Sequence, residues 1–175
     1  MKHIDFYCSK KLPVMNLYLI FQIIIVAIAA TSTMTLFSYA ASARYREVYK
    51  EPLLLTYLMH NFKINLSNAS KNILGWMIHY GIGVFFVIVY HYFWASNIFQ
   101  LSILHALILG IASGIIGIIS WMIFFKISHF QQRIDFRGFY IQLFIAHIIF
   151  ALTATAVYAI SITVTLLTNA YFTPK

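Results

Sequence analysis

The amino-acid sequence predicts an all-α fold: a four-helix transmembrane bundle with a short amphipathic interfacial helix between its first and second spans. Three observations carry that prediction. Of the 175 residues, 62% are hydrophobic and 9% charged, whereas soluble domains carry about 25% charged residues. Mean hydropathy is +0.83. Four apolar runs, at about 12–43, 73–95, 99–125 and 139–167, are each long enough to span a bilayer, and none contains Asp, Glu, Lys or Arg. Backbone groups in lipid must be satisfied within the segment, and the alternation of a barrel strand is absent, so the runs are helices. All of 1–175 reads as one integral membrane domain.

The first run follows Lys10 and Lys11, and Ala27-Ile28-Ala29 resembles a cleavage site. Its length exceeds the 7–15-residue core of a signal peptide, so it reads as a retained span. In the loop that follows, Pro52 can open a helix. Leu54, Leu55, Leu58, Met59 and Phe62 then form an apolar stripe at helical spacing over about 52–63. Such a helix either lies in the membrane interface or packs on the end of the bundle. Ser70 or Asn68 is the expected cap of the second span. Trp76, Trp94, Trp121, Tyr92 and Tyr140 lie near span ends, as an aromatic belt requires.

Basic residues set the expected orientation. Arg44, Arg46, Lys50, Lys63 and Lys71 in the first loop and Lys126, Arg133 and Arg137 in the third make eight, against four in the two tails. Loops one and three are therefore expected in the cytoplasm and the termini in the periplasm. The formal net charge of +8 then reports topology and contact with anionic lipid, not nucleic-acid binding. The single cysteine, Cys8, can form no internal disulfide and belongs to no zinc spacing.

Inside the spans the informative residues are small or polar. Lipid gives helices no hydrophobic reason to associate, so small residues that let backbones approach mark the contacts. Gly75 and Gly83 flank His79 at i, i+4, i+8 in "GWMIHYGIG" (75–83). Gly110, Gly114 and Gly117 line one face of the third span, and Ala151 and Ala154 follow His147 in the fourth. Ala27, Thr31, Met34, Ser38 and Ser42 make a similar face in the first.

The histidines allow two readings. His79 is a hydrogen-bond clasp between close helices, or His79 and His147, at matched depth, hold haem b or a metal ion through neutral imidazole nitrogens. His91 and His105 lie towards the opposite side. The acids Asp5, Glu47, Glu51 and Asp135 all fall outside the four runs. No catalytic triad, HExxH, carboxylate pair or phosphate loop is present, so no enzyme is expected.

Four stretches occur in order: "AATSTMTLF" (29–37), "GWMIHYGIG", "LGIASGIIGIISWM" (109–122) and "AHIIFAL" (146–152). Together they resemble small bacterial four-helix membrane proteins grouped as domains of unknown function. Those proteins share an Ala-Thr-x-x-Met motif, a Gly-Trp-x-x-His motif, a glycine-rich third helix and a histidine in the fourth. Where some of them carry an Asp after the Met, this chain has Thr35. The resemblance implies fold, a bacterial inner-membrane location and interest in His79 and His147. It implies no activity.

The leading expectation is thus a non-enzymatic membrane scaffold or accessory subunit without a cofactor. Its partner is the lipid bilayer, and its small-residue faces suit a homo-oligomer or a larger membrane complex. The alternatives are a haem- or metal-binding protein and a small channel or carrier.

Overall fold

The computed structural model describes residues 17–130 and 134–172, with side chains to 168. Cys8, Asp5, Lys10, Lys11, Arg133 and the first residues of the expected 12–43 span lie outside that description. Five helices follow in order: α1 (Leu17–Tyr45), α2 (Glu51–Asn61), α3 (Asn68–Ala95), α4 (Ile103–Ile127) and α5 (Phe136–Phe172). Four of them, α1, α3, α4 and α5, are long and apolar enough to cross a membrane. The chain is therefore an all-α, multi-pass membrane protein, as the apolar runs predict.

The helix starts follow local chemistry. Ser67, not Ser70 or Asn68, caps α3: its side chain accepts the Ser70 N–H at 3.1 Å. The helix therefore begins more than a turn before the apolar run, because a cap can recruit polar residues that hydropathy alone excludes. Ser102 caps α4 by accepting the His105 N–H at 3.3 Å.

The core is built from the small faces. Val26, Ala27, Ala30, Thr31 and Ser38 of α1 and Ala146, Ala151 and Ala154 of α5 are all essentially inaccessible. Alpha-carbon backbones meet there without long side chains between them, so dispersion holds the pair. At one end, Gln22 Nε2 donates to Ser161 Oγ at 2.6 Å, and the Tyr18 hydroxyl pairs with Thr165. At the other, the Tyr49 hydroxyl donates to Asp135 Oδ2 at 3.1 Å, joining the α1–α2 loop to the start of α5.

Each glycine of these faces has its own neighbour. A Cβ on Gly75 would lie 2.7 Å from the Pro52 carbonyl oxygen, so α2 rests its first turn on α3 there. One on Gly83 would meet the Thr31 side chain. One on Gly110 would lie 2.8 Å from Ile148 Cα, and one on Gly114 2.9 Å from the Phe144 ring. Gly81 differs: nothing lies within 4 Å of its Cβ position.

Two sequence expectations change. Trp94 and Trp121 do not join the aromatic belt. Both are buried, Trp94 against Tyr158 and Trp121 against Phe125 and Phe139. Aromatic rings with a polar edge fill wide gaps between helices as readily as they mark interfaces. The α2 helix has its apolar face, Leu54, Leu55, Leu58 and Met59, buried in the bundle, with α3 as its main neighbour. That is the bundle-end alternative for this segment.

α1 packs against both α3 and α5, α4 packs mainly against α5, and α2 against α3. α3 and α4 are consecutive yet have no extensive contact with each other. Tyr90 bridges them towards their connecting loop, donating to Ser113 Oγ at 2.8 Å. The space between them, closed by α1, α2 and α5, holds the site.

Candidate functional site

A cavity of about 300 Å³ occupies that gap. Its walls are mostly apolar, with Phe85, Phe86, Trp121, Phe124 and Phe150 supplying aromatic faces. Ile82 and Phe85 on α3 and Ile116 and Phe124 on α4 line it while remaining well exposed on the outer surface. The cavity therefore has a lateral mouth on the face that meets lipid.

His79 and His147 both line it. Their tautomers follow from their partners. The Thr35 hydroxyl lies 2.7 Å from the Thr31 carbonyl and 2.9 Å from His79 Nε2; with its proton on the carbonyl it accepts from His79 Nε2–H. In the neutral ring that places the lone pair on Nδ1. His147 Nδ1 lies 2.8 Å from the Leu143 carbonyl, which can only accept, so His147 Nε2 is the bare nitrogen. Gly117 makes room for that ring: a Cβ there would lie 2.9 Å from His147 Nε2. As neutral rings the two imidazoles each bring one lone pair to the site.

The residue that hydropathy reading missed is Glu51. It lies outside the four apolar runs with the other acids, yet it is 2% exposed and lines the same cavity as the histidines. Its Oε1 accepts from Ser38 Oγ at 2.7 Å and from Gln142 Nε2 at 3.4 Å, while Oε2 has no partner. Burial raises its carboxyl pKa to about 7, outweighing the hydrogen bonds that lower it. Periodicity carries the missing signal. Glu51 stands at i with Leu54, Leu55 and Leu58 at i+3, i+4 and i+7, so it shares the buried stripe of α2. Pro52, a favoured helix opener, places the start of that helix at about 52, one residue after the observed Glu51. Gln142, a lone amide within an apolar run, was the second signal.

A second cleft of about 620 Å³ lies between α1 and α5, lined by Arg44, Tyr49, Asp135 and Gln142 among apolar residues. Burial, with the bond to Asp135, pushes the Tyr49 phenol up to about 12. The Gly138 N–H and the Tyr49 hydroxyl hold the exposed Asp135 carboxyl below its ordinary range.

His91 and His105 are not brought to the cavity. His91 Nδ1 pairs with the Tyr158 hydroxyl at 2.7 Å, and His105 Nδ1 with Ser102 Oγ at 2.9 Å at the α4 cap. Among the described residues, no three of His, Cys, Asp and Glu are grouped closely enough to hold a metal ion. The four-histidine set therefore divides into two cavity residues and two that serve helix ends or contacts.

No protein-family model, curated protein or solved structure matches this chain.

Proposed function

We propose that this protein is a small-molecule carrier of a bacterial inner membrane, non-enzymatic, with the α3–α4 cavity as its binding site. The observation that carries the reading is the convergence of Glu51, His79 and His147 on one mostly apolar cavity. A carboxyl and two imidazoles away from water are expensive unless something uses them. A scaffold gains nothing from that expense, since apolar packing would hold the helices more cheaply. Intramembrane ionisable groups mark ligand and ion pathways by default.

The donor and acceptor inventory narrows the ligand. His79 Nδ1, His147 Nε2 and Glu51 Oε2 are acceptors, and no Lys or Arg lines the cavity. The complement is a small apolar molecule that donates hydrogen bonds, such as an amine or an alcohol. The lateral mouth supports entry from the lipid phase.

A haem reading has one specific observation in its favour. His147, with Nδ1–H on a backbone carbonyl and Nε2 bare, has the bonding pattern of a ligating imidazole. His79 offers Nδ1 alone, because Thr35 holds its Nε2. An absorption spectrum with a Soret band lost in His147→Leu would favour haem over the carrier reading.

Trp121 lines the cavity and reports on it. Titrating benzyl alcohol into the protein in lipid nanodiscs is expected to change tryptophan emission saturably. Trp121→Phe should remove that change, whereas Trp76→Phe, whose ring is not part of the cavity, should keep it. A linear, non-saturable response unaffected by Trp121→Phe would count against a binding site.

A further inference from the structure

The carboxyl of Glu51 stands between two spaces. On one side it lines the internal cavity. On the other, Gln142 lines the cleft between α1 and α5 and reaches back to Ser38 at 2.6 Å and to Glu51 at 3.4 Å. Ser38 in turn donates to Glu51 at 2.7 Å. Three side chains from three helices, Ser38, Glu51 and Gln142, thus form a polar septum between cavity and cleft. Two acceptors in it, Glu51 Oε2 and Gln142 Oε1, are buried without partners. Buried polar atoms are rarely left so, and each such case calls for an explanation. A proton on the carboxyl turns Oε2 into a donor.

Charge points the same way. The chain carries a formal net charge of +8, yet the cavity contains one acid and no Lys or Arg. An ionised Glu51 has no counter-ion there. The aromatic walls suit a cation, because ring faces attract ammonium groups. The titratable groups that face Glu51 are few. His79 lines the cavity from α3 and His147 from α5. Tyr39 lies within electrostatic reach on α1, beneath the Lys50 ammonium, 4.8 Å from its ring centre. No lining residue of α4 titrates. Across the septum, Arg44, Tyr49 and Asp135 border the cleft.

We propose that Glu51 is a cation–proton exchange centre: a lipophilic ammonium ion binds its carboxylate in the cavity and the carboxyl proton is released to water, with Ser38 and Gln142 holding the carboxylate through Oε1. This deepens the carrier reading and rests on it. The step balances. The O–H bond of the Glu51 carboxyl breaks, one proton passes to water, and one ammonium replaces it as the partner of the carboxylate. No bond of the ligand changes. Gln142 is the positioning residue, with its amide on Ser38 and Glu51 and its flank on the cleft.

The test uses the full chain in nanodiscs of neutral phosphatidylcholine, in weak buffer with a pH-indicating dye. Benzylamine, an ammonium ion at both pH values as lysine is, and neutral benzyl alcohol are the probes. With the carboxyl raised to about 7, benzylamine should release more protons per molecule bound at pH 6 than at pH 8. Benzyl alcohol should release none. Glu51→Gln should abolish release while keeping the helical circular dichroism and the monodisperse elution of the wild type, which show that the variant is folded. Gln142→Leu removes a hydrogen bond that lowers the Glu51 carboxyl, so it should increase the release per molecule bound at pH 8. Benzylamine binding without proton release, or release that survives Glu51→Gln, would overturn the exchange centre while leaving the carrier reading standing. Release at pH 8 that is unchanged in Gln142→Leu would overturn the positioning role of Gln142. A Trp121 signal that responds to neither probe would overturn both readings.

Discussion

Glu51→Gln should stabilise the folded bundle at pH 8 by about 3 kcal/mol relative to wild type and make little difference at pH 4. The sign follows from the direction of the shift. The carboxyl of Glu51 is raised from 4.5 to about 7 by burial in the fold. The folded state therefore binds its proton more tightly than the unfolded state does. The favourable contribution of the protonated group is complete below about pH 4.5 and is lost as pH rises through about 7. Above that, the fold must hold an ionised carboxylate whose Oε2 has no partner. Gln keeps the shape and an oxygen for Ser38 but cannot ionise, so its stability should be flat over the same window. Asp135 has the opposite sign: its carboxyl is held low, so its contribution is present at neutral pH and lost on acidification. Midpoints of denaturant unfolding in mild detergent, measured at pH 4, 6 and 8 for wild type and Glu51→Gln, decide the matter. Parallel pH profiles for the two proteins would mean that the carboxyl is solvated.

A methyl group added at Gly110 should be as damaging, by about 2–3 kcal/mol, and a Leu there should prevent the bundle from forming. The new Cβ would lie 2.8 Å from Ile148 Cα, 3.2 Å from Ala151 Cβ and 3.3 Å from the His147 carbonyl oxygen. Two of these are backbone atoms of α5 that no rotamer change can move, so α4 and α5 must separate. In a bundle held by close packing, that loses contacts along the whole seam. The internal control is Gly81, two residues before Gly83 in the same histidine-bearing stretch. Gly81→Ala meets nothing within 4 Å and should stabilise the helix by up to about 1 kcal/mol through propensity alone. Thermal midpoints of the two variants in the same detergent should move in opposite directions. Equal effects would mean that glycine content matters here only through backbone flexibility.

Much of this architecture is legible from hydropathy. Long apolar runs without charge have one stable form in lipid, and the small residues of α1, α4 and α5 mark where the helices meet. The pairing of His79 with His147 across one cavity follows from their matched depth. Glu51 was legible too, but only through periodicity. It lies outside every apolar run, and a hydropathy window averages it with the basic loop. Its place one turn before Leu54 and Leu55 puts it on the buried face. The Ser38–Glu51–Gln142 septum could not be read from the sequence. It joins residues from three helices, and its formation depends on the angle at which α2 enters the bundle, which the Gly75–Pro52 contact sets. The α3–α4 gap likewise could not be read. Nothing in either segment's pattern distinguishes a pair that packs closely from a pair that does not.

The most direct measurement of the central claim is an infrared titration of the purified protein in nanodiscs, wild type against Glu51→Gln. The account requires a protonated carboxyl band that disappears with a midpoint near pH 7, that Glu51→Gln removes, and that shifts when benzylamine is added. A band that titrates with an ordinary carboxyl midpoint near 4.5, indifferent to benzylamine, would place Glu51 in water and contradict the cavity as a site.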